Sequence, residues 1–589
     1  MLQNSPLPEG EGENRSHICW FTHPMSDVAL HRRTFDTSTA KVLESEGISP
    51  LFSRLYAARG IAHADEAAFK LSQLPSPASM KGIDAVVDRL IAALEKRERL
   101  LVVADYDADG ATACAVALRG FRMLGAEIGY IVPNRFEFGY GLTPEIVALA
   151  AKENPHVIIT VDNGIASVDG VAAARALGID VIVTDHHLPG STLPDTPTIV
   201  NPNQPGCTFP SKALAGVGVM FYVLLALRSA LRERGAFGTL AQPDFNALLD
   251  LVALGTVADV VPLDALNRRL VEAGLRRMRE GKAHAGVRAL FEVAKRDITK
   301  ATVYEMGFIL GPRINAAGRL DDISLGIECL TTDDANRALE IATQLDQLNR
   351  ERKGIESGMR DEADQMINAE ITPEQKSIVV MDGTWHQGVV GIVAGRLHET
   401  YHRPTIVFAP GEGTELKGSG RSIPGFHLRD ALDLVSKREP TLMRKFGGHA
   451  MAAGLSITNA NFALFAKAFE AVAAEMLTPE MLTQRVETDG SFSLDEFDFD
   501  TAHALHQHVW GQAFPPPLFD DEFTVIDSRI VAFKHTKLRL KRDGRMFDAI
   551  RFGCTERPPQ PMRAAYKLSL SEFNGAQRLE LIVERWWPA

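Results

Sequence analysis

The chain has 589 residues, 45% apolar and 23% charged, with a formal net charge of −12. That length predicts three or four domains, and the balance is that of a soluble globular protein. No run approaches the roughly 18 apolar residues of a membrane span, and the start MLQNSPLPEGEGENR lacks the basic region and apolar core of a secretory signal. Cys19, Cys114, Cys207, Cys329 and Cys554 are far apart and form no CxxC pair, which argues against a disulfide framework or a zinc knuckle and fits a reducing, cytoplasmic setting.

Residues 1–24 are polar and irregular, so 1–40 is expected to be a poorly ordered extension, and translation from Met25 is one reading of it. A helical lead-in follows over 40–98, with SPLFSRLYAARG and IDAVVDRLIAALEKRE. From Leu100 strands at 100–104, 127–132, 157–161 and 180–184 alternate with helices near 111–124, 144–152 and 168–177. Such alternation predicts βαβ units and a mainly parallel sheet. Residues 211–258 turn helical and core-like, and Asp259 closes that stretch.

Over 333–369 the apolar positions Leu345, Leu348, Ile355, Met359, Ala363 and Met366 recur at three- and four-residue spacing. A helix of that length spans on the order of 50 Å. It reads either as a connector between two domains that border a groove or as a long core helix. A second α/β region then comprises KSIVVMDG, GVVGIVAGRLHETY and PTIVFAP, followed by the glycine-rich GSGRS (418–422) and FGGHAMAAGL (446–455). Residues 485–589 look all-β, with Asp543-Gly544 and Asn574-Gly575 as type I′ hairpin turns, and fit a small oligonucleotide-binding (OB-type) barrel. Within it, 528–545 carries seven Lys/Arg against one Asp, either a footprint for a phosphate backbone or a solvated strand face.

The chemistry sits at strand ends: LLVVADYDADG (100–110), VIITVDNG (157–164) and VIVTDHH (181–187). Ligands of open α/β sheets gather where the strands' carboxyl ends converge, so Asp105, Asp107, Asp109, Asp162, Asp185, His186 and His187 should share one edge. Carboxylates with one imidazole suit hard divalent cations and favour Mn²⁺ over Ca²⁺. Asp162, from the middle strand, can bridge two metals spaced to clamp a phosphoryl centre. A lone Asp after a strand is commonly a helix cap or turn, but three such motifs with adjacent histidines favour a metal site. The absence of GxxxxGK[ST], and of GxGxxG after the first strand, speaks against a nucleotide-triphosphate motor.

DYDADG, VDNG, TDHH and GTVADVVPL together resemble the successive motifs of the DHH phosphoesterase superfamily. GPRINAAGR, GSGRSIPGFHLRDAL and KFGGHAMAAGL extend the resemblance, over roughly 45–589, to its RecJ family of bacterial single-strand-specific 5′→3′ DNA exonucleases. The resemblance implies a parallel-sheet DHH catalytic domain (41–332), a connecting helix (333–372), a second α/β DHHA1 domain (373–480) and an OB-fold nucleic-acid-binding domain (481–589).

It also implies two divalent cations, Mn²⁺ or Mg²⁺, one held by Asp107 and Asp162 and the other by Asp109, Asp162, His186 and Asp259. His187 would face the scissile phosphate, while Asp105 and Asp185 would orient the ligands. Arg313, Asn315 and Arg319 would contact the strand's phosphates, a buried ion pair being the other reading for either arginine. Arg421, Ser422, Gly447, Gly448 and His449 would hold the terminal nucleotide. Phe533, Phe547 and Phe552 are candidates for base stacking or for the barrel core. The expected activity is release of 5′-mononucleotides from single-stranded DNA in recombination and repair, by a monomer that works with a single-stranded-DNA-binding protein and a helicase. Rival readings are a superfamily member that cleaves oligoribonucleotides or cyclic dinucleotides, and a non-catalytic replication scaffold.

Overall fold

The computed structural model describes residues 28–133, 140–239, 241–370, 372, 374–573 and 576–589. The proposed Met25 start and the Asn574-Gly575 turn lie outside them. The chain divides into two compact units: Thr37–Ser357 with Gln507–Pro516, and the remainder. Strand β1 (Val28–Arg32) belongs to the second unit.

In the first unit, β2 (Leu100–Ala104), β3 (Ile128–Ile131), β4 (Val157–Val161), β5 (Asp180–Thr184) and β6 (Ile199–Val200) form a parallel sheet in the order β3-β2-β4-β5-β6. Every residue of β2 and β4 is buried, because a central strand in a sheet covered on both faces has no solvated side. One cover is apolar packing around Leu101, Val103, Ile146, Ile158, Val171 and Val181. Helix Ala108–Met123 lies against helices Gly216–Glu233 and Leu249–Ala258, close enough that a Cβ on Gly120 would collide with Leu224.

The ten residues Gln507–Pro516 add an aromatic plug to this unit. Trp510 stacks on Phe514 at 5.3 Å and on His508 at 4.3 Å, the Tyr56 hydroxyl is 2.7 Å from His508 Nε2, and the Arg268 guanidinium lies 4.1 Å over Phe514.

In the second unit, β7 (Ile378–Met381), β8 (Thr405–Pro410), β9 (Glu415–Arg421), β10 (Met443–Gly448) and β11 (Ala452–Thr458) form a mixed sheet in the order β10-β11-β9-β8-β7. The glycine-rich GSGRS and FGGHAMAAGL pieces are therefore largely sheet strands. Strand β1, inside the segment expected to be poorly ordered, pairs in parallel with β12 (Gln484–Thr488) and is tied down by Arg32 Nη2 to Asp520 at 2.6 Å. Strands β13 (Phe519–Val531), β14 (His535–Arg542), β15 (Arg545–Arg551), β16 (Met562–Phe573) and β17 (Ala576–Pro588) close into a barrel. Asp543 and Gly544 turn β14 into β15 with φ of 48° and 81°, the left-handed pair of a type I′ turn.

Helix Ala335–Glu370 runs through the boundary between the units. Ala338, Ile341, Ala342 and Leu345 are buried in its first part, and Met359, Ala363 and Ile367 in its last. There Trp385 Nε1 donates to Glu362 at 2.7 Å and the Tyr401 hydroxyl to Asp364 at 3.0 Å. Between these two parts Lys353 and Gly354 are exposed.

Candidate metal centre

The register of the first sheet aligns Ala104 with Val161 and Val161 with Thr184, so the residues that follow, Asp105, Asp162 and Asp185, leave the sheet side by side. Their backbone N–H groups continue the ladder, Asp105 to Val161 O at 3.3 Å and Asp162 to Thr184 O at 3.0 Å. Asp107 then caps helix Ala108–Met123, accepting from the N–H of Asp109 and Gly110 through Oδ1. Asp109, in that helix's first turn, is buried and accepts from the N–H of Gly216 (2.6 Å) and Val217 (2.9 Å) at the start of helix Gly216–Glu233. Asp259 arrives at the C-terminal end of helix Leu249–Ala258.

These elements converge on His186 Nε2, which has Asp162 Oδ1 at 3.0 Å, Asp259 Oδ2 at 3.5 Å and Asp109 Oδ2 at 3.9 Å. Among the described residues, three groups each have potential ligand atoms within 4.8 Å of one another: Asp109, His186, Asp259; Asp162, His186, His187; and Asp105, Asp107, Asp162. Asp162 joins two of them. Its Oδ1 and His186 Nε2 are buried, close together and without a hydrogen bond, an arrangement that costs free energy unless something fills it. Asp162 is held left-handed at φ 62°, and a Cβ on Gly216 would stand 2.6 Å from its Cβ. Hard oxygens with one imidazole, two of the atoms orphaned, fit a divalent cation.

Electrostatics agree. Burial, then repulsion among the carboxylates, raises Asp109 to about 7 and pushes Asp162 and Asp259 well up. Burial, with His187 nearby, lowers His186 to about 4, so the imidazole is neutral and its approach to Asp162 is no ion pair. His187 behaves oppositely: burial lowers it, but the Asp185 bond and charge prevail and lift it to about 9.

Asp185 is the hub of this histidine pair. It accepts from the N–H of Ile165, His186 and His187 and lies 2.8 Å from His187 Nδ1, so the imidazole it orients is that of His187. Sequence reasoning missed several supports. Asn201 and Asn203 donate to the carbonyls of His187 (2.9 Å) and His186 (2.6 Å); the Asn-Pro-Asn after β6 was a readable signal. The Tyr140 hydroxyl donates to Asp162 O at 3.3 Å and lies 3.2 Å from both His187 ring nitrogens, a contact nothing in local spacing announces.

The expected DNA contacts fare unevenly. Arg313 is committed to Asp346, at 2.8 and 3.0 Å, and to Ile309 O, the buried ion-pair reading. Asn315 Oδ1 accepts from Ala108 N–H at 2.7 Å and thereby braces the Asp107–Asp109 loop. Arg319 ends the same helix, Gly311–Leu320. Ser422 is fully buried with its hydroxyl donating to Phe426 O, so it is a strand-end brace instead of a phosphate contact.

Gly418 and Gly420 likewise serve packing, since a Cβ would strike Phe408 at the first and Leu428 at the second. Arg421 is sunk beside Ser419 and the first turn of helix Val390–Tyr401; among the described residues no carboxylate pairs with it, and burial lowers its pKa. Gly447, Gly448 and His449 line a cleft of about 610 Å³ with Arg429, Asp430, Asp433 and Phe446. Of the barrel phenylalanines, Phe547 is core, Phe552 packs against His535 and Phe533 is 98% exposed at a hairpin tip.

Residues 99–256 match the family model described as DHH family, N-terminal domain, 374–475 match the DHHA1 domain and 488–585 match the RecJ OB domain. The chain is 47% identical over 577 residues to the single-stranded-DNA-specific exonuclease RecJ of Salmonella typhimurium, covering 95% of this chain and 99% of that one. Its Bacillus subtilis counterpart is 34% identical, covering 91% of this chain and 68% of that one. The crystal structure of RecJ in complex with Mn²⁺ from Thermus thermophilus superimposes with a TM-score of 0.81 at 29% identity, covering 96% of this chain and 80% of that one. The chain belongs to the RecJ family of single-stranded-DNA-specific exonucleases.

Proposed function

We propose that this protein is a divalent-metal-dependent hydrolase that removes 5′-mononucleotides from single-stranded DNA in the 5′→3′ direction, serving recombination and repair. The observation that carries the reading is the meeting of Asp109, Asp162 and Asp259 around His186 Nε2, with two of those atoms orphaned. Asp107 and Asp162 would hold one cation and Asp109, Asp162, His186 and Asp259 the other. Two bound cations supply Lewis acidity and a hydroxide nucleophile at neutral pH.

The chain's own side chains supply the rest. Asp109 is pre-aimed by two backbone donors, and Asp107 caps through one oxygen while its other stays available. His187, held protonated at neutral pH by Asp185, is suited to meet charge developing on the phosphate. Asp105 supports the Asp107 site, and Tyr140 limits the rotation of His187. Arg421, a half-buried cation with no carboxylate partner among the described residues, together with Gly447, Gly448 and His449, would capture the terminal phosphate, and Arg319 would lend positive potential along the strand while Arg313 holds Asp346.

The basic outer face of β14, with Lys537, Arg539 and Lys541, and the exposed Phe533 would engage the incoming strand. Among the described residues no helix is long and apolar enough to cross a membrane. We place the protein in the cytoplasm, as a monomer that works beside a single-stranded-DNA-binding protein and a helicase. Single-stranded DNA labelled at either end and incubated with Mn²⁺ tests the reading: early mononucleotide release is expected from the 5′ end, and release from the 3′ end first would overturn it.

A further inference from the structure

An aromatic pair, one ring exposed and the other half-buried, stands next to the helix that delivers Asp259 and supplies none of the candidate ligands. Residues Glu305–Leu310 form a π-helical segment, a wide turn that commonly marks functional sites. Tyr304 and Phe308 stack across it at 5.3 Å with their rings 27° apart, and Phe308 is 68% exposed. Soluble proteins bury large aromatic rings, so a stacked pair whose outer ring, Phe308, is left open to water suggests a partner with a flat apolar face.

The pair is fixed relative to the ligands. A Cβ on Gly307 would stand 3.2 Å from Val257, and one on Gly311 would stand 3.1 Å from Ala258, so the segment rests on the residues just before Asp259. Its continuation, helix Gly311–Leu320, braces the Asp107–Asp109 loop through Asn315. Two further apolar side chains follow candidate ligand segments into solvent: Leu188, directly after His187, and Val260, directly after Asp259. Val260 is a β-branched residue held left-handed at φ 63°, a strained conformation of the kind kept at functional sites.

We infer that the Tyr304–Phe308 pair is a stacking platform for a nucleobase of the DNA strand whose phosphate lies at the metals. The inference rests on the nuclease reading above. It gives the carboxylate-rich centre, which repels phosphates until cations bind, an attractive contact that depends neither on charge nor on base identity, since every base presents a π-face. A second protein is the less fitting occupant, because the apolar residues border acidic ligands instead of forming one broad patch.

The test uses the full-length protein and 5′-phosphorylated oligonucleotides that carry one abasic residue at successive positions from the 5′ end. In the wild type, one abasic position is expected to raise KM on the order of tenfold. Phe308→Ala should raise KM on intact DNA to a similar extent and abolish the penalty at that same position, and Phe308→Trp should restore both. Wild-type KM in Phe308→Ala, or an unchanged abasic profile, would overturn the platform. So would loss of Mn²⁺ affinity by calorimetry in Phe308→Ala, which would mark the ring as packing behind Asp259. Fluorescence anisotropy with the same oligonucleotides reads the platform without turnover, so a wild type that binds them but does not cleave them counts against the nuclease reading alone.

Discussion

Asp162 concentrates the chemistry: buried, left-handed, and a member of two of the three potential ligand groups. Asp162→Ala is expected to cut turnover at least about 10³-fold while strand binding stays measurable by anisotropy, because it removes shared metal coordination and leaves the barrel intact. Asp185 acts one step away. Asp185→Asn should lose roughly 10- to 100-fold in activity, and its alkaline pH limb should move down. The sign follows from the bond: Asp185 raises His187 to about 9, so the protonated form persists below that pH and is lost above it, and removing the carboxylate lowers the midpoint. An unmoved limb in the pH–rate profile would exclude His187 as the group that titrates.

The carboxylates predict a third behaviour. Asp109 is raised to about 7, with Asp162 and Asp259 also raised, whereas unfolded carboxyls ionise near about 3.9. The folded metal-free protein therefore binds more protons, and it loses stability as pH climbs from about 4 to about 7. A cation offsets that loss, so Mn²⁺ should raise Tm more at pH 8 than at pH 5. Equal increments at both pH values would contradict the buried cluster.

At the scale of elements, the site depends on close backbone approaches. Helix Gly311–Leu320 fits under the Asp107–Asp109 loop only because Gly318 has no side chain; a Cβ there would collide with Tyr106 O. Gly318→Ala should cost about 1–3 kcal/mol in urea unfolding and weaken Mn²⁺ binding, since backbone cannot swing aside as a side chain can. The strands and helices around these approaches were legible, because Val/Ile/Leu runs and three-residue apolar spacing report local periodicity. The glycine-rich pieces are ambiguous in sequence for a physical reason. Glycine satisfies a turn, an anion approach and a crowded strand equally well, and only the positions of Phe408 and Leu428 reveal that Gly418 and Gly420 serve packing. The partners of Asn315 and Arg313, Ala108 and Asp346, lie far away in sequence, so local pattern cannot announce these contacts.

For the molecule as a whole, a negative total charge coexists with a basic barrel face, and screening over about 8 Å makes the local patch the relevant quantity. Replacing Lys537, Arg539 and Lys541 with Glu should weaken single-strand binding and flatten its log–log salt dependence by roughly 2, from about 0.7 per lost phosphate contact. An unaltered slope would remove β14 from the strand's path. The chain's excursions also matter at this scale: β1 precedes the first unit yet belongs to the second, and Gln507–Pro516 lies between second-unit segments yet packs in the first.

Several features followed from the sequence alone: the parallel sheet, the edge that gathers Asp105, Asp162 and Asp185, the long helix and the barrel. Each is written in short-range patterns of hydrophobic spacing and strand-end residues. The tertiary structure decided which imidazole Asp185 orients, that Tyr140, Asn201 and Asn203 brace the histidines, and that Phe533 and Phe308 face solvent. Those outcomes depend on contacts between residues far apart in the chain, where the free energy of burial and hydrogen bonding is settled by what the fold brings close and not by neighbours in sequence.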